Sequence, residues 1–272
     1  MFDETDPGIV QLMTFNIRYG SAGDGPNRWD LRKDLIFDTI ADHEADIIGL
    51  QEVLDFQMEQ LRRALPQYAS IFVGRDDGQL AGEGVPILYR RDRFTAADSG
   101  TFWFSNSPWK PGSKHWGNQI PRICTWLRLT EITSGKSVYV YNVHLDHQSQ
   151  DSRLYSVNLL VKEIAGREHR DPVVVLGDFN MDMDNEAMHA FGRIKRDVAF
   201  EPMFDVWGKL NPDQPSETTF HGFGEQPDGP CLDHILIDDN WEIFETAIDA
   251  RAYGGRYPSD HFPVIATLNL KD

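Results

Sequence analysis

The chain has 272 residues, 40% of them hydrophobic and 11% aromatic, which excludes a disordered protein and suffices for one large domain. Its formal net charge of −17 argues against a protein that tracks a long polyanion, since such binding relies on Lys and Arg neutralising phosphates. Two cysteines, Cys124 and Cys231, stand in no motif, so neither a disulfide scaffold nor a thiolate metal site is expected.

The opening Met1-Phe2-Asp3-Glu4-Thr5-Asp6 is acidic and lacks the basic and then apolar pattern of a signal peptide. No run approaches a membrane span, and the sparse, motif-free cysteines suit a cytoplasmic protein. Residues 9–18 read as a strand carrying Asn16 at its end, and a Gly-rich loop follows from 20 to 26. Leu31, Leu35, Ile36 and Ile40 recur at helical spacing over 30–44. Residues 46–52 form a short buried strand ending in Gln51 and Glu52. Leu54, Met58, Leu61 and Leu65 mark a second helix, which Pro66 ends.

Strands are predicted at 68–73 and 85–89. The tract 102–116, rich in Trp, Pro and Gly, reads as a long loop over the surface or at the mouth of a pocket. Strands at 122–129 and 137–145 are joined by a turn at Ser134-Gly135. Leu154, Val157, Val161 and Ile164 give a third helix, and the β-branched run Val173-Val174-Val175 a strand buried on both faces. A short helix is predicted from about Glu186. A Gly/Pro-rich loop then leads to a strand at 232–237, and the last strand is 262–270. No composition shift divides the chain, so residues 1–272 are expected to form a single mixed α/β domain.

Polar residues gather at the strand ends. They are Asn16; Gln51 and Glu52; Asn142, His144 and Asp146; Asp178 and Asn180; Asp233 and His234; Asp260 and His261. Each has a bland alternative, such as Asn16 capping a loop or Glu52 opening a helix. Six such clusters in one chain make the joint alternative improbable. Carboxylates and carboxamides suit a hard cation such as Mg²⁺ or Mn²⁺, and imidazoles beside them can donate to phosphate or exchange protons. That combination is what metal-assisted phosphoester hydrolysis needs.

The motifs Thr14-Phe15-Asn16-Ile17-Arg18, Gln51-Glu52-Val53, Asn142-Val143-His144-Leu145-Asp146, Gly177-Asp178-Phe179-Asn180, Leu232-Asp233-His234-Ile235 and Ser259-Asp260-His261-Phe262 appear in the order of the endonuclease/exonuclease/phosphatase superfamily. The chain resembles that superfamily over almost its whole length. Gly82-Glu83-Gly84-Val85-Pro86 and Gly100-Thr101-Phe102-Trp103 further resemble a bacterial branch similar in pattern to the deadenylase and nocturnin group. The resemblance implies the DNase I-like fold, a four-layer α/β/β/α sandwich with two mixed β-sheets packed face to face. It implies Mg²⁺- or Mn²⁺-dependent phosphoester cleavage, with Glu52, Asn16 and Asp260 in the metal environment. It also gives Asp178 the attacking water, Asn180 and His144 the phosphate, and His261 the opposite side of the phosphate, oriented by Asp233. His234 is expected to be structural. Arg122, Arg153, Trp116, Asn118 and His221 are candidates for the substrate pocket, where Arg can bind phosphate bidentately and Trp103, Trp109 or Trp116 can stack on a base or sugar.

The charge favours a small or short phosphorylated substrate as the partner, with no protein partner implied. A nuclease acting on DNA or RNA is the first alternative. A phosphate-binding module without catalysis is the second, and the intact set of Glu52, Asp178, Asp260 and His261 argues against it.

Overall fold

In the computed structural model the chain is described over residues 8–192, 200–224 and 229–271. The acidic opening and the centre of the Gly/Pro-rich loop, at 225–228, lie outside the described residues. The chain lays down β1 (Ile9–Asn16), α1 (Trp29–His43), β2 (Ile47–Gln51), α2 (Asp55–Ala64), β3 (Tyr68–Ile71) and β4 (Ile87–Arg90). It then crosses to a second sheet built from β5 (Phe94–Trp103), β6 (Ile123–Glu131), β7 (Ser137–His144), β8 (Val173–Asp178), β9 (Phe204–Asp205) and β10 (Asp233–Ile237). Helix α3 (Gln150–Ala165) links β7 to β8, and α4 (Val206–Leu210) follows β9. Strands β11 (Trp241–Ile248) and β12 (Val264–Leu270) return to the first sheet.

The sheet orders are β11-β12-β1-β2-β4-β3 and β5-β6-β7-β8-β10-β9. Each sheet has one parallel pair, β1 with β2 and β7 with β8, flanked by antiparallel neighbours. A parallel pair needs a crossover, and α1 and α3 supply it. Strand periodicity sends alternate side chains to opposite faces. Leu12, Ile47, Val140, Val174, Leu176 and Ile235 fill the space between the sheets. Met13, Phe15, Ile48 and Leu50 pack outward with Ile36, Ile40, Met58 and Leu61 of α1 and α2. Tyr141, Val143 and Val175 meet Val157, Leu160 and Ile164 of α3. These layers make the four-layer α/β/β/α sandwich of the DNase I-like fold, as the sequence resemblance implied. No helix among the described residues is long and apolar enough to cross a membrane.

Several elements depart from the sequence expectation. Phe102 and Trp103 belong to β5, whose polar centre lies exposed on a sheet edge and carries a register shift between Ala96 and Asp98. Strand β11 carries no strand signal in the sequence for the same reason, with exposed Glu242 and Glu245 and a shift between Ile243 and Glu245. A bulge breaks the period-2 pattern on which strand reading depends. The helix expected near Glu186 is a single 3₁₀ turn, Met188–Ala190. Short α4 was not anticipated; Asp205 caps it by accepting from Gly208 N at 2.8 Å.

Candidate active site

The face between the sheets changes from apolar to polar at one end. Leu12 gives way to Thr14 and Asn16 along β1, Ile47 to Gly49 and Gln51 along β2, and Val140 to Asn142 and His144 along β7. On β8, Val174 and Leu176 are followed by Asp178, and Asp233 opens β10 opposite it. Two carboxamides floor this end. Gln51 Nε2 donates to Asn142 Oδ1 at 2.8 Å and to Thr14 Oγ1 at 3.0 Å. Asn142 Nδ2 donates to the carbonyls of Leu50 and Pro86, both at 2.8 Å. Gly49 permits the close approach, since a Cβ there would stand 1.9 Å from Leu176 Cδ1.

Above this floor the catalytic candidates converge. Asn16 Nδ2 donates to Asp178 Oδ2 at 2.9 Å and to Glu52 Oε1 at 3.2 Å. Its Oδ1 accepts from Arg18 N, so Asn16 meets both carboxylates as a donor. Glu52 leaves β2 at φ 61° and accepts from Tyr19 N at 3.0 Å. Asn180, at φ 52°, donates its N–H to Asp178 Oδ1 at 2.9 Å and its Nδ2 to Leu145 O. Such left-handed backbone at non-glycine residues is uncommon and persists where surrounding contacts hold it.

His261 Nδ1 lies 2.8 Å from Asp233 Oδ2, which fixes the ring with Nε2 3.9 Å from Asp178 Oδ2. His144 Nε2 approaches the same oxygen at 3.5 Å. Burial alone would lower the His261 imidazolium pKa, but the Asp233 and Asp178 carboxylates raise it to about 10. Burial and the Asp233 charge raise Asp178 to about 7, against the pull of His261 and Asn16. Burial and the Arg122 guanidinium hold His144 well below its ordinary value, hence neutral. Asp260 is raised chiefly by burial; its Oδ2 lies 3.6 Å from Arg18 Nε.

Donor atoms of Glu52, Glu83 and His144 lie within 4.8 Å of one another, and those of Asp178, Asp233 and His261 do the same. The first group opens on a cleft of about 660 Å³ that Asp260 also lines. Its donors are mainly carboxylate oxygen, which fits a hard divalent cation. Glu83 was not among the sequence candidates, although it sits in the quoted Gly82-Glu83-Gly84 segment. Arg75 Nη2 bonds it at 2.6 Å, and both residues line the cleft. His147 also lines the cleft; desolvation and the Arg122 guanidinium lower its pKa.

The structure sorts the sequence candidates. Glu52, His144, Asp178, Asn180, Asp260, His261 and Arg122 line the cleft; Asp233 stands behind His261, and Asn16 is fully buried against Asp178 and Glu52. Arg122 is 3% exposed and donates from Nη2 to His147 Nδ1 at 2.8 Å. Four others do not line the cleft. Trp116 stacks on Tyr155 of α3, with centroids 5.3 Å apart. Asn118 closes its own loop, accepting from His115 N and donating to Ile120 O. Arg153 spends its donors on Gln150 Oε1 and Asp146 O. His221 lies flat on Phe262 at 4.3 Å. Of the other tryptophans, Trp103 is buried and donates to Arg75 O, whereas Trp109 is 63% exposed. His234 faces away from the cleft chemistry and bonds Met181 O at 3.0 Å.

This arrangement has relatives of known structure. The endonuclease/exonuclease/phosphatase from Bacteroides vulgatus is 34% identical, with a TM-score of 0.87 over 97% of this chain and 99% of that one. A mannosyl-6-phosphatase from Bacteroides thetaiotaomicron is 31% identical, with a TM-score of 0.83 over 95% of this chain and 99% of that one. The human nocturnin catalytic domain shares the fold at 19% identity and a TM-score of 0.77, over 97% of this chain and 94% of that one. The model of the Endonuclease/Exonuclease/phosphatase family matches residues 13–261, and the chain belongs to that family.

Proposed function

We propose that this phosphoester hydrolase acts on a small phosphorylated molecule, a phosphorylated sugar being the leading class, and that it depends on Mg²⁺ or Mn²⁺. The observation that carries the reading is the convergence on one carboxylate. Asp178 receives Asn16 Nδ2 at 2.9 Å and faces His144 at 3.5 Å and His261 at 3.9 Å. Glu52, with Asp260 and Glu83 nearby in the cleft, would hold the cation. The ion, when bound, neutralises charge on the phosphoryl oxygens.

The protein's own groups have separable tasks. Asp178, held by Asn16 and the Asn180 N–H, accepts a proton from a water in the cleft. His261, held as a cation by Asp233, donates from Nε2 to the phosphoryl group. Neutral His144, 3.5 Å from the same carboxylate oxygen, adds a donor. Three facts support a small substrate: the net charge of −17, a cleft of about 660 Å³, and 31% identity to a mannosyl-6-phosphatase.

Turnover on p-nitrophenyl phosphate, bis(p-nitrophenyl) phosphate, hexose 6-phosphates and single-stranded RNA and DNA, each with Mg²⁺, Mn²⁺ or chelator, tests this reading. Metal-dependent release of phosphate from the monoesters, lost in Asp178→Asn and His261→Ala, is expected. Preferential cleavage of the nucleic acids would replace the small-substrate reading with a nuclease. Binding of phosphate with no turnover of anything would replace catalysis with recognition.

A further inference from the structure

Arg122 poses a physical problem. Its side chain is 3% exposed, and its Nε and Nη1 have no hydrogen-bond partner among the described residues. Asp146 Oδ2 stands 3.6 Å from Nε, beyond hydrogen-bond reach. Burying a guanidinium so poorly satisfied is unfavourable. Its one hydrogen bond goes from Nη2 to Nδ1 of His147, at 2.8 Å, and His147 is exposed on the cleft.

That bond has a chemical consequence. Arginine has no acceptor, so Nδ1 of His147 must accept, and the ring carries its proton on Nε2. The backbone is fixed as well. Asp146 Oδ1 accepts from Gln148 N at 3.0 Å and Ser149 N at 2.7 Å, and Ser149 Oγ in turn caps α3 by accepting from Ser152 N. An exposed imidazole is thus held in one place and one tautomer, which a surface side chain seldom is.

Depth assigns its partner. Asp178, His144 and His261 are buried and take the phosphate end of a substrate, so a rim residue meets what lies beyond the phosphate. Half-buried Ile120, Phe220 and Leu232 add apolar surface to the same cleft. A neutral N–H donor beside apolar surface matches a molecule with hydroxyl groups and C–H faces.

We propose that His147 reads the leaving group of the ester, its Nε2–H donating to a sugar hydroxyl, and that Arg122 is the positioning residue that holds this ring. The proposal rests on the phosphoester-hydrolase reading above and names the part of the substrate that the rim recognises.

The test compares hexose 6-phosphate with p-nitrophenyl phosphate, which has no hydroxyl to read. His147→Ala, a surface change that should fold, is expected to lose at least about tenfold more kcat/KM on the sugar ester than on the aryl ester, mostly through KM. His147→Gln, which keeps an N–H donor, recovers part of the loss. Arg122→Met shows the same selectivity, and the double variant is no worse than the worse single one. Equal losses on both esters, or none, overturn the role of His147; additive losses overturn the role of Arg122. Calorimetry in chelator gives a readout without turnover. The wild type should bind hexose 6-phosphate more tightly than inorganic phosphate, and His147→Ala should narrow that gap. Equal binding of the two by the wild type overturns the proposal, whereas selective binding without turnover removes the catalytic reading and leaves the recognition intact.

Discussion

Asn16 and Asp178 are 162 positions apart and belong to different sheets, yet Asn16 Nδ2 donates to Asp178 Oδ2 at 2.9 Å. The same nitrogen reaches Glu52 Oε1 at 3.2 Å. One carboxamide therefore spaces two carboxylates that would otherwise repel, and it joins the sheets above the floor made by Gln51 and Asn142. Asn16→Ala removes both bonds. We expect kcat to fall by about 10²-fold or more, the scale of a positioned proton-transfer group. Steady-state kinetics on the best monoester substrate checks this; a loss under about threefold would make Asn16 a spacer with no catalytic consequence.

In the proposed mechanism Asp233 acts on the phosphate through His261. Its Oδ2 lies 2.8 Å from Nδ1, and its charge and hydrogen bond, together with the Asp178 and Asp260 carboxylates, outweigh the burial that would otherwise discharge the ring. Asp233→Asn keeps the shape and removes the charge, so a neutral His261 with an altered tautomer is expected. The fall in kcat should lie in the range of about 10²–10⁴, with KM changing far less. An NMR titration of the His261 ring should show its protonation lost at lower pH than in the wild type. A ring that still titrates like the wild type would show that another group supplies the field.

Much of this was legible in sequence because the site is where an inner-face alternation runs out of hydrophobic residues. Val140, Asn142 and His144 share one face whether or not a structure is in hand. Sequence could not separate their roles. Asn142 is spent on Gln51 and two carbonyls below the cleft, His144 reaches into it, and Asp146 turns the loop. The antiparallel pairing of β6 with β7 was legible, but not that it brings Arg122, just before β6, against His147, past the end of β7. Trp116, Asn118, Arg153 and His221 have the right chemistry for a pocket, but residue type does not say which neighbour takes a side chain first. Edge strands β5 and β11 stayed hidden because only one flank of each is paired, and their exposed residues need not alternate.

The carboxamide floor should matter to stability more than to chemistry. Asn142→Ala takes the shared side-chain donor from the carbonyls of Leu50 and Pro86 and one acceptor from Gln51 Nε2, which keeps Thr14 Oγ1 and the Gly49 carbonyl, while Pro86 O keeps the Leu50 N–H. A buried polar group left unsatisfied costs about 1–3 kcal/mol, so a loss of about 1–3 kcal/mol is expected in denaturant unfolding. Gly49→Ala should also destabilise, by about 1–3 kcal/mol or more, because its methyl would collide with Leu176. An unchanged midpoint in either variant would mean that the two sheets can separate there without penalty.

Away from the cleft, Asp249 ties the end of α1 to the first sheet, and its charge makes that tie depend on pH. His43 Nε2 lies 2.9 Å from Asp249 Oδ2, and Arg251 Nη2 lies 2.7 Å from the same oxygen. Burial by itself would raise this carboxyl pKa. Its contacts with His43, with the Arg251 side chain and with the Arg251 backbone N–H outweigh burial and hold it well below the ordinary range. A folded-state value below the unfolded one means that the stabilisation is present above the unfolded pKa, about 3.9, and is lost as pH falls through the lower folded value. Asp249→Asn should therefore melt below the wild type at neutral pH. The gap between them should narrow as pH is taken from about 5 to about 3, because the unfolded wild-type chain takes up a proton at Asp249 there while the folded carboxylate stays ionised. A gap that stays constant across that range would place the effect of Asp249 in its shape and not in its charge.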